Sequence, residues 1–220
     1  MAVEVFWGSG SPFAWSVMLA LEVKGVPYTG HLLSFSEGDL KKPAFLAMNP
    51  RGKVPVIKDG DFTLSESNAI LAWLEAKKPQ PALFGTTPEQ TGAIWRAVLE
   101  HAAYFQHHTH AISGAVFYKR LDTEAELVKT AAKAVGEELG RYEAALAKGS
   151  WLVGGSMSAA DLVAYPHFEL FFRLAARPEV KDFGLGFDKG FDAYPALSAW
   201  RARIKAIPGY DNTYPPHWKG

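Results

Sequence analysis

A proline-broken segment, Lys77–Pro81, divides the chain into two stretches whose apolar residues follow different patterns. Before this segment, short strand-like and helix-like runs alternate closely, whereas after it the period is helical almost throughout. Alternating strands and helices are typical of an α/β layer, and a helical remainder is typical of a separate bundle. The sequence therefore predicts an α/β domain over residues 1–78, a linker over 79–88 and an all-α domain over 89–220.

The first stretch is predicted to run strand, helix, strand, helix, strand, strand, helix. The strands are expected at 2–7, 28–34, 54–57 and 62–64, and the helices at 13–24, 41–48 and 65–77. Its first connection should be a right-handed parallel crossover, since such units are almost always right-handed. Asp59 and Gly60 separate two short apolar runs and predict a hairpin turn.

Three candidate capping boxes, each a hydroxyl followed three residues later by an acid or amide, predict helix starts in the second stretch. They are Thr87 with Gln90, Thr123 with Glu126, and Ser158 with Asp161. The first should open a helix that runs to about Lys119, and the second a helix that runs to about Lys148. A further helix is predicted over residues 195–207.

The composition argues against several classes of function. The 220 residues hold 23 Lys and Arg against 23 Asp and Glu, so no net charge attracts nucleic acid or an acidic membrane. No cysteine is present, which excludes disulfides, a thiolate nucleophile and cysteine zinc sites. Met1–Glu4 opens no leader-like segment and no apolar stretch reaches membrane-spanning length. We therefore expect a cytoplasmic protein without a membrane or nucleic-acid partner.

Pro55 interrupts the strand-like run Val54–Ile57, although proline is not tolerated inside a central strand. The strand therefore either lies at an edge or begins at a bend, and a cis peptide between Val54 and Pro55 would make such a bend. The bend would leave the Val54 backbone open to pair with an extended peptide, as in strand addition. The residues alone leave the isomer open.

Two predicted helix starts carry polar groups that can hold a ligand. Ser11 precedes Pro12, and Glu66 and Ser67 lie at the start of a later helix. Free backbone N–H groups and the positive end of the helix dipole occur at such positions. Ser67 can hold a carboxylate while Glu66 faces an ammonium group, and Ser11 can donate a hydrogen bond to a thiolate. Ordinary capping is the alternative at both starts, and Ser9 is a rival to Ser11.

Several segments together resemble the glutathione S-transferase family. They are Ser11–Val17, Ala20–Glu22, Lys24–Tyr28, Asn49–Val56 and Asp59–Ile70, with Ser158–Asp161 later in the chain. The similarity spans the chain and is most specific in residues 1–78. It is closest to the serine-type classes, which are theta-, zeta- and phi-like, and to bacterial-type cytosolic members.

The resemblance implies a fold and a set of roles. The fold is a thioredoxin-like α/β domain with a cis Pro55, followed by an all-α domain. Glutathione is the implied co-substrate, no metal is implied, and a homodimer is the common assembly. The implied contacts are Ser11 with the thiol, Val54 and Pro55 with the cysteinyl backbone, Glu66 and Ser67 with the γ-glutamyl end, and Lys53 and Lys41 with the glycyl carboxylate. Met18 and Leu40 depart from the family, where many members carry arginine and histidine.

An electrophile is expected between the two domains. The candidate lining residues are Phe13, Tyr104, Phe105, His108 and Phe117, with Tyr118 beside them. Core packing is the alternative for each, because periodicity does not separate the two when a helix is apolar on several faces. Another alternative, metal binding by His101, His107, His108 and His110, is disfavoured because their spacing lacks an H-E-x-x-H pattern.

The resemblance implies an enzyme that conjugates glutathione to small hydrophobic electrophiles, as in detoxification. A glutathione-dependent isomerase, dehalogenase or ether-cleaving enzyme would use the same thiolate and stays open. A non-catalytic glutathione-binding or interaction module is the alternative from another class. The intact set of Ser11, Lys53, Pro55, Glu66 and Ser67 argues against such a module.

Overall fold

The computed structural model describes residues 2–219, which form two compact units. One unit combines the chain up to residue 84 with residues 205–219, and the other covers Gly85–Ile204. Met1 and Gly220, the end residues of the two predicted domains, lie outside the described residues. The predicted boundaries are corrected in two places, since residues 79–84 and 205–219 both belong to the α/β unit.

The α/β unit is built on a four-stranded sheet with the order β2-β1-β3-β4. The strands are β1 (Val3–Gly8), β2 (Tyr28–Leu33), β3 (Val56–Asp59) and β4 (Phe62–Ser65). Strand β1 runs parallel to β2, while β3 is antiparallel to both β1 and β4. The parallel crossover and the hairpin that the sequence predicted are confirmed.

Three helices accompany the sheet in the first part of the chain. They are α1 (Pro12–Lys24), α2 (Pro43–Met48) and α3 (Ser67–Lys77). Helix α1 ends at Gly25, whose φ of +56° suits a residue without a side chain. Two predicted starts shift: Asp39–Lys41 form a separate 3-10 turn ahead of α2, and Glu66 rather than Ser65 precedes α3.

A buried lysine explains why the unit extends past the predicted linker start. The Lys24 side chain is fully buried, and its Nζ lies 2.7 Å from Glu75 Oε2 and 2.8 Å from the Pro81 carbonyl oxygen. The Glu75 carboxylate also accepts from the backbone N–H of Leu83 at 3.1 Å. A buried ammonium group needs such partners, and these ones hold the chain after α3 against the unit.

The chain's last residues pack on the first helix. The Trp15 indole, 2% exposed, donates from Nε1 to Thr213 Oγ1 at 2.9 Å. The rings of Tyr210, Tyr214 and Trp218 lie 5.6–6.1 Å from the Trp15 ring. This aromatic cluster is the physical reason that residues 205–219 belong to the α/β unit.

The second unit is helical among its described residues. Its helices are α4 (Pro88–Glu100), α5 (His107–Phe117), α6 (Ala125–Leu146), α7 (Ala159–Ala175), α8 (Pro178–Phe183) and α9, which runs Pro195–Lys205. A π-helical turn, His101–Gln106, joins α4 to α5, so the long helix expected up to Lys119 is interrupted and ends at Phe117. Within residues 2–219, no helix combines the length and the apolar character that crossing a membrane requires.

The capping boxes differ in outcome. Asp161 is fully buried and accepts from the Ser158 N–H at 2.9 Å and from the Ser158 hydroxyl at 3.0 Å. It also accepts from Trp200 Nε1 at 2.8 Å, so this box ties the start of α7 to α9. The box at Thr123 is wrong: its hydroxyl donates to the Arg120 carbonyl, and α6 begins at Ala125.

Two histidines lie buried side by side in the helical unit. The rings of His101 and His167 are 5.0 Å apart, and Nδ1 of His101 is 2.9 Å from the Tyr142 hydroxyl. Burial lowers the pKa of His167 to about 4 and holds the pKa of His101 well below its usual range. Both imidazoles are therefore neutral in the native protein at neutral pH.

These histidines should make stability depend on pH. Unfolded histidine has a pKa of about 6.5, so the unfolded chain takes up protons first as the pH falls below that value. The free energy of unfolding should be fully retained above pH 6.5 and fall by about 3 kcal/mol for His167 alone as the pH approaches 4. Urea titrations of His167→Gln from pH 7 to 4.5 should show a shallower loss than the wild type. His110→Gln, which alters an exposed histidine of the same unit, should keep the wild-type slope.

Candidate functional site

A tight turn at the end of β1 presents Ser11. The Ser11 N–H donates to the Gly8 carbonyl at 3.0 Å, and Gly10, with φ +80°, occupies the third position as in a type II turn. Ser11 is half-buried, and its Oγ accepts from the Ala14 N–H at 3.4 Å. Because a hydroxyl both accepts and donates, this cap leaves the Ser11 hydrogen available to a ligand atom.

The Val54–Pro55 peptide is cis, as the bend hypothesis required. Pro55 is buried, and β3 begins only at Val56. Among the described residues, neither the N–H nor the C=O of Val54 makes a hydrogen bond. An extended peptide can therefore pair with this backbone.

Helix α3 begins with unsatisfied donors. Its first bond within the chain runs from the Ile70 N–H to the Glu66 carbonyl, which leaves the N–H groups of Ser67, Asn68 and Ala69 unpaired within residues 2–219. Glu66 is exposed and has a φ of +70° and a ψ of 111°, which a residue with a side chain rarely adopts. Strain of this kind is retained where the surroundings impose it, and it occurs often at binding sites.

The register of the strands brings the Ser11 turn, the bend at Pro55 and the start of α3 to the same end of the sheet. Val56 pairs with Phe6 of β1 on one side and with Ser65 of β4 on the other. The turn that follows β1, the bend that precedes β3 and the start of α3 therefore leave the sheet at the same end. Ser11, Val54, Pro55, Glu66 and Ser67 are brought together by backbone pairing.

The two lysines lie on loops beside the bend. Asn49 supports Lys53, because its Nδ2 donates to the Lys53 carbonyl at 2.7 Å. A side chain at Gly52 would meet the Leu40 carbonyl, so the loop before the bend lies against the turn that carries Lys41. Both lysines are exposed, and neither ammonium group is paired within the described residues. They are free to meet a carboxylate.

Phe35 is a neighbour of the Ser11 turn that the sequence analysis missed. Its ring lies against Gly8, where any side chain would overlap it, and Phe35 itself is 54% exposed. Gly8 is the residue that accepts from the Ser11 N–H. The loop after β2 showed no motif to mark this aromatic residue, since exposed position and packing on a glycine are properties of the fold.

The aromatic lining residues expected for the electrophile differ in exposure. Phe13 and His108 are half-buried, whereas Tyr104 and Phe117 are 55% and 56% exposed. Phe105 is corrected to a core residue: it is 0% exposed, and its ring packs against other aromatic rings of the helical unit. It is therefore not accessible to an electrophile.

The four histidines of the suggested metal cluster separate. His101 is buried, while His107 and His110 are exposed. Within residues 2–219, no three His, Asp or Glu side chains converge as metal ligands would.

The sheet order, the cis proline before β3 and the polar helix starts define a thioredoxin-like domain followed by a helical one. Residues 10–77 match the family model for the N-terminal domain of glutathione S-transferases, and residues 96–208 match the model for the C-terminal domain.

Curated relatives and solved structures agree with these matches. Glutathione S-transferase A of Pleuronectes platessa is 32% identical, over 98% of this chain and 92% of that protein. A glutathione S-transferase structure from the Antarctic clam Laternula elliptica is 28% identical, with a TM-score of 0.80 over 99% of this chain and 94% of that one. Glutathione S-transferase-I with bound lactoylglutathione is 26% identical, with a TM-score of 0.76 over 97% and 98%. The chain belongs to the glutathione S-transferase family of enzymes.

Replacing Glu66 should change stability and glutathione binding in opposite directions, because its backbone is strained and its side chain is charged. Glu66→Gly relieves the positive φ, so the free energy of unfolding should rise by about 1 kcal/mol. The resemblance implies that Glu66 holds the ammonium group of glutathione, and on that expectation loss of the carboxylate should raise the KM for glutathione about tenfold, by removing a charged hydrogen bond. Urea unfolding and steady-state kinetics on the same preparation measure both.

Lys119→Gly provides the matched control. Lys119, in the helical unit, also has a positive φ, of 55°, so this variant should gain stability without any change in KM. A Glu66→Gly enzyme with wild-type KM would contradict the role of the carboxylate.

Proposed function

We propose that the protein transfers glutathione to small hydrophobic electrophiles, and that the Ser11 hydroxyl donates a hydrogen bond to the thiolate sulfur. The observation that carries this proposal is that three features lie at the same end of the sheet: the Ser11 turn, the Val54 backbone without hydrogen bonds, and the start of α3 with its unpaired N–H groups. Serine is the activating residue because the chain has no cysteine, and Phe6 and Trp7 stand at the end of β1 where other classes use tyrosine. The proposed class is therefore serine-type, similar to theta, zeta and phi enzymes.

The tripeptide would be bound largely by backbone groups. Val54 pairs with the cysteinyl N–H and C=O, as an added strand does. The donors at the start of α3 hold the γ-glutamyl carboxylate, and Glu66 accepts from its ammonium group. Lys53 and Lys41 attract the glycyl carboxylate. Unpaired donors, acceptors and charges at these positions support each assignment.

One hydrogen bond from a hydroxyl supplies enough free energy to lower the pKa of the glutathione thiol as far as the mechanism needs. A thiol like that of cysteine has a pKa of about 8.5, and lowering it by about two units requires about 2.7 kcal/mol. A hydrogen bond to a charged group contributes about 1.5–3 kcal/mol. The Ser11 hydroxyl is thus sufficient without a general base. The thiol proton leaves to solvent, and the sulfur lone pair forms the new bond to carbon. In a substitution the leaving group departs with its bonding electrons, and in an addition the π electrons shift to the neighbouring acceptor atom, which takes a proton from solvent.

The apolar side of the site is proposed from the α/β unit first. Phe13 follows Ser11 on α1, and Phe35 lies against the turn that holds Ser11. Both supply apolar surface suited to a small hydrophobic electrophile. The helical unit's Tyr104, His108 and Phe117 stay predictions.

The assembly and location of the enzyme are proposals as well. Phe62 on edge strand β4 is 46% exposed and stacks on Trp73 at 6.0 Å, which gives an apolar surface that a second copy would cover in a homodimer. A cytoplasmic location agrees with the expected supply of reduced glutathione there.

Ser11→Ala tests the mechanism. The variant should raise the apparent pKa of the enzyme-bound thiol by about one to two units, because one charged hydrogen bond is lost. Turnover at pH 6.5 should fall at least tenfold, while the dissociation constant of glutathione stays within about twofold. The measurements are the pH dependence of thiolate absorbance in the binary complex and calorimetric titration.

Ser16→Ala is the control for Ser11→Ala. Ser16 lies on α1, the helix that Ser11 caps, and its hydroxyl donates within that helix, to the Phe13 carbonyl at 2.8 Å. It should keep the wild-type thiol pKa. Full activity of Ser11→Ala at neutral pH would refute the assigned role.

Product analysis separates conjugation from its alternatives. With a generic aryl halide, the wild-type enzyme should release a stable thioether and one halide ion for each glutathione consumed. Free glutathione recovered after turnover of an isomerisable substrate, with no thioether formed from aryl halides, would indicate an isomerase. Tight binding of glutathione without turnover of any electrophile would indicate a binding module. Mass spectrometry of the reaction mixtures gives the answer.

A further inference from the structure

The end of the chain contacts the turn that presents Ser11. His217 Nδ1 lies 2.5 Å from Ser9 Oγ, across more than 200 residues of sequence. Ser9 and Gly10 are the two central residues of the turn that the Ser11 N–H closes onto Gly8. The contact therefore falls on the loop that sets the position of Ser11, and not on its side chain.

The His217 imidazole lies so close to Gly10 that no side chain would fit there. A side-chain carbon built on Gly10 would lie 2.9 Å from His217 Cε1, 3.3 Å from its Nε2 and 3.5 Å from Trp218 Cζ2. The φ of +80° at the same residue also favours glycine. The turn is thus packed under two rings of the chain's last 3-10 turn, Pro216–Trp218.

The ring of His217 is held in place by its chain neighbour. Trp218 is 8% exposed, and its ring lies 5.6 Å from that of Trp15, edge to face. Trp15 belongs to the first turns of α1, the helix that Ser11 caps. The segment Pro216–Trp218 therefore contacts both the first turns of α1 and the turn that precedes this helix.

We infer that His217 is a positioning residue for Ser11: its hydrogen bond to Ser9 fixes the turn so that the Ser11 hydroxyl points at the sulfur of bound glutathione. This inference rests on the proposed role of Ser11. A hydroxyl that stabilises an anion must be held in direction as well as in distance, since a hydrogen bond weakens steeply when it is bent. Nδ1 of His217 accepts from the Ser9 hydroxyl or donates to it, according to the tautomer of the ring.

The test removes the hydrogen bond from either end. Ser9→Ala and His217→Ala should each raise the apparent pKa of the bound thiol by about half a unit and lower kcat at pH 6.5 about threefold, as expected for one neutral hydrogen bond acting through the turn. The KM for glutathione should change less than twofold, because the tripeptide's own contacts are untouched. The double variant should lose no more than either single one, since both changes remove the same interaction.

Two further variants distinguish positioning of Ser11 by His217 from a general effect of changing residues 205–219. His217→Asn places an amide near the position of Nδ1 and should restore most of the wild-type kcat and thiol pKa. Asn212→Ala removes a different tail contact, the 3.2 Å bond from Nδ2 to Glu22 Oε1, and should leave both unchanged. Equal losses in His217→Asn and His217→Ala would overturn the role of the hydrogen bond.

Ser11→Ala measured in parallel separates the two proposals. If Ser11→Ala raises the thiol pKa while Ser9→Ala and His217→Ala keep the wild-type profile, the positioning role is wrong and the proposed function stands. If Ser11→Ala also keeps the wild-type profile, the proposed function itself is wrong. Should His217→Ala fail to fold, Ser9→Ala and His217→Asn together decide the question, because the positioning role requires a loss in the first and near wild-type values in the second.

Discussion

The pairing of Val56 with Phe6 on one side and Ser65 on the other is the constraint on which the site depends. Val56 and Ile57 are adjacent and both fully buried, so they point to opposite, covered faces of the sheet, and a shift of one residue in either ladder would exchange the two faces and force both side chains to repack. Core packing therefore sets the register, and the register sets which loops leave the sheet together. The groups proposed to bind glutathione are neighbours because the apolar residues of the paired strands must be buried.

In the proposed mode of glutathione binding, backbone groups supply most of the contacts. The bend at Pro55 exposes one residue's N–H and C=O, and the start of α3 exposes three N–H groups. Backbone groups on paired strands and helix ends have little freedom, so a peptide ligand loses less binding energy to ordering the site. Side chains are then needed only at the charged ends and at the sulfur, where Glu66, Lys53 and Ser11 are proposed to act.

Local signals in the sequence predicted much of the first unit. Proline in a strand, glycine after a helix and a hydroxyl before one each act within a few residues, so the bend at Pro55, the end of α1 and the cap at Ser11 were all readable. Signals that need a distant partner were not readable. Thr123 has the spacing of a capping box, yet its hydroxyl bonds backwards to Arg120, and helix α6 begins at Ala125.

The same limit explains the other corrections. Phe105 and Phe117 look alike in a helix that is apolar on several faces, but one is enclosed by rings from α7 and the other is exposed. Lys24 carries no local mark of burial, because its partners at Glu75 and Pro81 lie some 50 residues further along. Proximity in the fold, rather than residue type, decides which of two similar residues serves the core and which is available to a ligand.

Helix α1 is buried on nearly all sides, and the packing that stabilises it also restricts the position of Ser11 at its start. The helix packs on the sheet, on α3 and on the tail helix α10 (Tyr210–Thr213), and its buried residues include Trp15, Val17 and Leu19. A helix enclosed in this way has no freedom to rotate or slide without opening the core, since interiors are close-packed. The core therefore restricts the position of the first turn of α1, and the contact between His217 and Ser9 restricts the turn that precedes the helix. In the proposed mechanism a single hydroxyl suffices at Ser11 because the fold has already restricted its position, and a mobile serine would lose part of the same hydrogen bond to disorder.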